Sequence, residues 1–164
     1  DHRDLHSFPT RRSSDLVIRC MGIVQEGYFK YVTTDSSGNE HITGLALPGT
    51  FVGDYLSTTQ KTPCMTSIVA ATNVEVLVCN CEIVNELFNE DRELHQLFSD
   101  LLFHDCYIQY LDMHRLSPKE RYIALLKRCP DILQNISIKE IASYLNVTPT
   151  YLSRIRKEIT FENK

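Results

Sequence analysis

Residues 137–157 read SIKEIASYLNVTPTYLSRIRK, and this stretch predicts two short helices joined by a tight turn. Ser137 is a preferred N-cap residue, and Glu140 three residues later can complete a capping box. Apolar residues then recur at helical spacing and predict one buried face: Ile138, Ile141, Ala142 and Leu145. Asn146 tolerates the left-handed backbone that a sharp turn requires, so we expect the first helix to end there.

The second helix of this stretch predicts a surface that can read DNA. Thr148 suits the N-cap and Pro149 suits the first helical position. The inward positions are apolar: Leu152, Ile155 and Ile159. Hydroxyls and cations occupy the other face and can reach phosphates and base edges. These features are typical of a helix-turn-helix that binds double-stranded DNA. The predicted DNA-binding residues are Thr148, Pro149, Thr150, Ser153, Arg154 and Lys157. An ordinary helical hairpin with a solvated face is the alternative interpretation.

Residues 1–16 read DHRDLHSFPTRRSSDL and show no helical or strand period. They resemble the translation of a common short-read sequencing adapter, residue by residue. We therefore expect this segment to be non-native and exclude it from fold reasoning. A DNA-clamping arm and a transit peptide are the alternatives. On this interpretation the native sequence starts near Val17, and its true N-terminus is lost.

The charge is spread unevenly over the rest of the chain. Residues 17–116 hold five Lys/Arg and thirteen Asp/Glu, a net charge of −8, whereas residues 117–164 hold nine and five, a net charge of +4. This asymmetry favours an acidic sensor or assembly module joined to a nucleic-acid module. No apolar run reaches the eighteen or so residues of a membrane span, and no secretory signal is visible. We expect a cytoplasmic protein without a membrane partner.

The six cysteines are scattered, and only Cys79 and Cys81 lie close together. On one strand both would point to the same side, so metal binding or redox sensing is conceivable. We prefer the interpretation that the cysteines act as small hydrophobic residues in a reduced cytoplasm. No histidine joins them at metal-ligand spacing, so we expect neither a metal nor a cofactor.

The segment from Val17 to about Cys81 indicates short strands separated by glycine turns, with room for one helical turn near 54–57. Its clearest strands are 27–33, 41–47, 67–71 and 74–78. Such a pattern suggests a roll or barrel. We expect an α+β protein with an incomplete antiparallel β roll at 17–90, truncated at its start. A short helix over about 82–88 is expected to close it.

The apolar positions within residues 92–114 alternate at spacings of three and four residues. This pattern predicts one long helix, to which we assign residues 91–116. The seam consists of Leu94, Leu97, Leu101, His104, Ile108 and Leu111. This spacing is typical of a two-stranded coiled coil, with His104 as a polar position that can fix register. It predicts a homodimer. A core helix buried on two sides within one chain is the alternative.

Ser117-Pro118-Lys119-Glu120 restarts the chain with an N-cap, a proline at the first helical position and a capping-box glutamate. This predicts a domain boundary, a hinge and a helix-turn-helix domain over 117–164.

The order of roll, long dimer helix, capped hinge and helix-turn-helix resembles the Crp/Fnr family of bacterial transcription regulators. Phe51-Val52-Gly53-Asp54 is similar to the family's Phe-Ile-Gly-Glu. The resemblance implies a non-enzymatic regulator that binds a small-molecule effector in the roll and a near-palindromic DNA site as a dimer, with RNA polymerase as a further partner. By the same resemblance, Pro149, Thr150 and Arg154 fall where family members contact bases.

The cyclic-nucleotide members of this family use a Glu for the ribose hydroxyl and an Arg-Ser pair for the cyclic phosphate. The corresponding positions here hold Asp54, Cys64 and Met65. Burying a phosphate without a cation is costly, so we expect another, unidentified effector. The candidate effector pocket comprises Gly53, Asp54, Cys64 and Met65.

Two other functions stay open. Residues 147–154 also resemble an AraC-type regulator, which needs two helix-turn-helix units, whereas one fits here. A metal-dependent jelly-roll enzyme would need a histidine and carboxylate cluster on the roll strands, where only His41 is found.

Overall fold

The computed structural model describes residues 19–162. The segment expected to derive from an adapter, residues 1–16, lies outside the described residues. The chain divides into two compact units, the first ending at Asn85 and the second beginning at Glu86.

The first unit contains two three-stranded antiparallel sheets. The strands are β1 (Cys20–Glu26), β2 (Phe29–Thr34), β3 (Glu40–Ala46), β4 (Phe51–Val52), β5 (Ser67–Ala70) and β6 (Glu75–Asn80). The order of one sheet is β4-β1-β6 and that of the other is β3-β2-β5. These short strands, joined by tight turns, form the β roll that the sequence predicted.

Turn residues set the strand connections. Between β2 and β3, one oxygen of Asp35 accepts hydrogen bonds of 2.9 Å from the amides of Ser37 and Asn39, and the other accepts from His41 at 3.0 Å. The hydrogen bonds from His41 and Asn39 hold the pKa of Asp35 well below its usual range. The Asp35 carboxylate therefore stabilises the hairpin between β2 and β3.

The interior of the first unit is formed by both sheets. Its buried apolar residues are Met21, Val24, Tyr28, Phe29, Val32, Ile42, Ala46, Leu47, Val52 and Ile68. Val32 and Ile42 are paired across β2 and β3, and Tyr31 and Ile68 across β2 and β5. Alternating burial along the strands thus builds one small core between the two sheets.

Seven helices lie within the described residues. They are α1 (Tyr55–Gln60), α2 (Cys81–Glu90), α3 (Arg92–Arg115), α4 (Pro118–Arg128), α5 (Ile132–Asn135), α6 (Ile138–Tyr144) and α7 (Pro149–Glu162). The sequence predicted six of these; the four-residue α5 was missed.

The second unit has its core among α4 to α7. Its most buried apolar side chains are Tyr122, Leu125, Cys129, Ile132, Ile136, Ile141, Ala142, Leu145, Leu152 and Ile155. Capping boxes are present at both predicted starts, Ser117 with Glu120 and Ser137 with Glu140. Helix α3 contributes no buried residue.

Cys79 and Cys81 do not lie on one strand, which is the condition under which both side chains would point to the same side. The strand ends at Asn80, whose side-chain oxygen accepts a hydrogen bond of 2.8 Å from the amide of Glu82 and so starts α2. Cys79 is exposed on β6, whereas Cys81 is buried at the first position of the helix. The two thiols therefore do not share a strand face.

Candidate nucleic-acid interface

Helix α6 ends in a Schellman motif that turns the chain sharply into α7. The amide of Val147 donates to the carbonyl of Ala142 at 2.9 Å, and the amide of Asn146 donates to the carbonyl of Ser143 at 3.0 Å. Asn146 has φ 53°, the left-handed conformation that this motif needs at its turning residue. The predicted role of Asn146 is thus confirmed.

Helix α7 begins as the sequence indicated. The Thr148 hydroxyl oxygen accepts a hydrogen bond of 3.2 Å from the amide of Tyr151, and Pro149 is the first helical residue. Leu152 and Ile155 are buried on the inward face. Ile159, also expected to point inward, is only half-buried. The first three turns of α7 are therefore attached to the core along one side.

The outer face of α7 carries the predicted DNA-binding residues. All six are exposed: Thr148, Pro149, Thr150, Ser153, Arg154 and Lys157. Thr150, Arg154 and Lys157 follow at helical spacing and share one face. The Ser153 hydroxyl donates to the carbonyl of Pro149 at 2.9 Å, which leaves its oxygen lone pairs to accept from a ligand. Within the described residues, neither Arg154 nor Lys157 forms an ion pair.

Two other arginines of the second unit, Arg156 and Arg121, are half-buried and act on groups within it, and the sequence did not predict this. Burial raises the pKa of Tyr122, and the charge of Arg156 lowers it. Burial also raises the pKa of Tyr144, and the exposed Arg128 lowers it. Arg121 donates to three backbone carbonyls. Therefore only part of the basic charge of residues 117–164 faces outward, and Arg154 belongs to that part.

One exposed residue of α7 was not predicted. Tyr151 is 44% exposed at the third helical position, beside Thr150 and Arg154. An aromatic ring there can stack on a sugar or a base or cover a thymine methyl. The aromatic type of Tyr151 could have indicated a contact residue, but whether its side chain faces outward depends on the rotation of α7 about its axis.

The predicted seam lies along a helix that has no buried side chain. Leu97, Leu101 and His104 are exposed, whereas Leu94, Ile108 and Leu111 are half-buried. A second, aromatic row runs along a different face of the same helix, where the rings of Phe103 and Tyr107 stack at 5.7 Å. Leu97 and Leu101 are therefore the exposed apolar side chains of the predicted seam.

The residues of the predicted effector pocket lie at the two ends of α1. Gly53 and Asp54 precede this helix, and the Asp54 carboxylate accepts a hydrogen bond of 2.9 Å from the amide of Ser57. Cys64, half-buried, and Met65, 80% exposed, lie in the loop that follows it. Asp54 is thus already used as a helix cap.

Within residues 19–162, no group of three or more His, Cys, Asp or Glu side chains is arranged to hold a metal ion. None of the helices described there combines the length and apolar character of a bilayer-crossing segment.

Residues 14–91 match the family model of the cyclic nucleotide-binding domain. No curated protein matches the chain. The match covers the β roll and α2, which places the first unit in the class of cyclic-nucleotide-binding-like rolls. The domain match favours the resemblance to the Crp/Fnr family over the AraC-type and jelly-roll enzyme alternatives.

Solved structures share this fold over most of the chain. FixK2 from Bradyrhizobium japonicum is 18% identical, with a TM-score of 0.71 over 88% of this chain and 76% of its own. A Crp/Fnr family transcriptional regulator from Thermus thermophilus is 19% identical, with a TM-score of 0.62 over 88% and 76%. The c-di-GMP-responsive global regulator CLP from Xanthomonas campestris is 17% identical, with a TM-score of 0.57 over 88% and 79%.

The domain match and the shared fold agree with the fold that the resemblance to the Crp/Fnr family implied.

Proposed function

We propose that the chain is a sequence-specific DNA-binding transcription regulator, in which α7 enters the major groove. The observation that carries the proposal is the exposed polar and cationic face of α7, which follows directly on the tight turn at Asn146. An α-helix fits a groove about 12 Å wide. The positive end of the α7 macrodipole also favours a nearby phosphate.

The residues of this face divide into two roles. Arg154 carries five N–H donors in a planar fork and can bind the O6 and N7 atoms of a guanine together. Pro149 and Thr150 lie near the helix start, where methyl and hydroxyl groups can meet base edges. Thr148, Ser153 and Lys157 supply polar contacts to the DNA backbone, of which the Lys157 contact is the most sensitive to salt.

We further propose that the active form is a homodimer joined along the seam of α3. The exposed Leu97 and Leu101 support it, because two apolar side chains at coiled-coil spacing are stabilised when a second copy covers them. Two-fold symmetry predicts a near-palindromic site, and two α7 helices that bind it in successive major grooves would lie about 34 Å apart, one turn of DNA. RNA polymerase is the expected further partner, and the cytoplasm the expected location.

The effector of the roll is proposed to be a small molecule other than a cyclic nucleotide. By the resemblance, Cys64 and Met65 stand at the phosphate positions, and one oxygen of the Asp54 carboxylate already accepts the capping hydrogen bond. Titration calorimetry with cAMP and with c-di-GMP, the compound named for the Xanthomonas relative, tests this. We expect no heat of binding from either; micromolar binding of cAMP or of c-di-GMP would contradict it.

Selection from random duplex DNA tests the main proposal. The chain should enrich a near-palindrome whose half-sites lie about one helical turn apart. Enrichment of no sequence would refute sequence-specific binding, and a single unpaired half-site would refute the dimer.

A further inference from the structure

The Arg121 side chain of α4 joins the carboxyl ends of two other helices. One terminal nitrogen, Nη1, donates to the carbonyls of Met113 at 2.8 Å and Leu116 at 3.2 Å. The other, Nη2, donates to the carbonyl of Leu145 at 3.0 Å. The buried Nε atom has no partner among the described residues. One guanidinium thus serves three carbonyls.

Those carbonyls lie at places that set helix directions. Met113 is in the last turn of α3 and Leu116 is its C-cap residue. Leu145 is the C-cap residue of α6, directly before the turn at Asn146 that leads into α7. Carbonyls at helix ends carry partial negative charge, so a fixed guanidinium is favourable there.

A second contact joins the same two helices. The Tyr144 hydroxyl of α6 donates to Oε1 of Gln109 on α3 at 3.5 Å. Gln109 lies about one helical turn before Met113. Helix α6 is therefore held against α3 at two successive turns, and Arg121 is the stronger tie because its hydrogen bonds carry charge.

We propose that Arg121 is a positioning residue for DNA recognition: it fixes the direction of α7 relative to the dimer helix α3. In a dimer this direction determines the separation and rotation of the two α7 helices, and hence the half-site spacing that is recognised. The inference rests on the proposed function. A lysine at 121 keeps the charge but, as a single ammonium group, loses the planar fork that spans the two helix ends.

Half-site spacing provides the test. The selected DNA site is compared with versions that carry one base pair more or less between the half-sites. Each change rotates one half-site by about 34° and moves it by about 3.4 Å. The wild type should bind the altered sites on the order of tenfold more weakly. Arg121→Gln and Arg121→Lys should reduce that penalty to about twofold while binding the selected site more weakly, because α7 is no longer fixed.

Arg115→Gln is the matched control, since Nε of Arg115 pairs with Asp112 of its own helix at 2.7 Å. It should keep the wild-type penalty. Circular dichroism confirms folding at the assay temperature; if Arg121→Gln unfolds, Arg121→Lys alone gives the comparison.

Three outcomes overturn the inference. An unchanged spacing penalty, with affinity lowered equally on all sites, would reduce Arg121 to a stability role. A salt slope lowered by about one would make it a phosphate contact instead. Loss of the spacing penalty in Arg115→Gln as well would show that the effect is not specific to Arg121. A wild type that selects no DNA refutes the proposed function itself and is seen before any variant is made.

Discussion

The amide of Val147 donates a hydrogen bond of 2.9 Å to the carbonyl of Ala142, five residues earlier in the chain. This bond closes the carboxyl end of α6 around Asn146, the left-handed residue between them. Since Ala142 is completely buried and α7 starts two residues after Val147, the bond links the core to the direction of the proposed recognition helix.

Replacing Asn146 tests that turn. Asn146→Ala should lower the free energy of unfolding by about 1 kcal/mol, because a Cβ without a polar group disfavours left-handed backbone. Asn146→Gly is the control and should stay within a few tenths of a kcal/mol of the wild type, since glycine accepts positive φ. Urea denaturation measures both. Equal loss in the two variants would show that the left-handed conformation is not what Asn146 contributes.

Substitutions of two nearby arginines of α7 should separate the recognition of DNA bases from the stability of the protein. Arg154→Ala should cost on the order of 1–3 kcal/mol of binding to the selected site and relax sequence choice at one base pair. Arg156→Ala removes the partner of the buried Tyr122 and should lower stability while leaving base preference intact. Quantitative binding to single-base variants of the site measures the difference. Equal loss by Arg154→Ala on every sequence would remove its reading role.

Lys157→Ala should weaken binding to all DNA sequences alike. Removing one phosphate contact lowers the slope of log affinity against log salt concentration by about 0.9. Lys61→Gln, which removes a cation from the first unit, is the control and should leave the slope unchanged. An unchanged slope in Lys157→Ala would place this lysine away from the DNA backbone.

The dimer seam is tested by a pair of substitutions in α3. Leu101→Asp introduces a charge into the seam and should shift sedimentation equilibrium from dimer to monomer. Phe103→Asp is the control: Phe103 is 69% exposed, as against 58% for Leu101, but lies about 160° around the helix. The control should remain dimeric. Dissociation by Phe103→Asp alone would move the interface to the aromatic row.

The raised pKa of Tyr144 predicts that the folded protein loses stability at alkaline pH. Burial raises its pKa above that of the unfolded chain, so between the two values the folded state keeps a proton that the unfolded state releases. Stability is therefore complete below about pH 10 and falls as the pH rises through that range. Tyr144→Phe should flatten this fall in pH-dependent urea unfolding. An identical alkaline slope in the variant would contradict the assignment.

Local signals determined the part of the fold that could be predicted. The two serine–glutamate capping boxes, Pro149 and Asn146 each act within a few residues, and all take the predicted conformation. Their chemistry decides where helices begin and end without reference to the rest of the molecule. For this reason α4, α6 and α7 could be located from the sequence.

Features that depend on distant contacts could not be predicted. Helix α5 has four residues, too few for a period, and is held by the burial of Ile132 and the neighbouring Ile136. Whether an arginine faces DNA or the interior depends on partners many positions away: Arg121 binds a carbonyl at Leu145, and Arg156 binds Tyr122. The sequence alone does not distinguish Arg121 and Arg156 from Arg154.

Competition between the selected DNA site and a scrambled duplex of equal length tests the central claim most directly. Both duplexes carry the same phosphate charge, so a preference between them reports recognition of sequence and not of charge. At physiological salt the wild type should prefer its site by about a thousandfold or more, and Arg154→Ala should lose a large part of that preference. Equal affinity of the wild type for both duplexes would contradict the proposal that this protein reads DNA sequence.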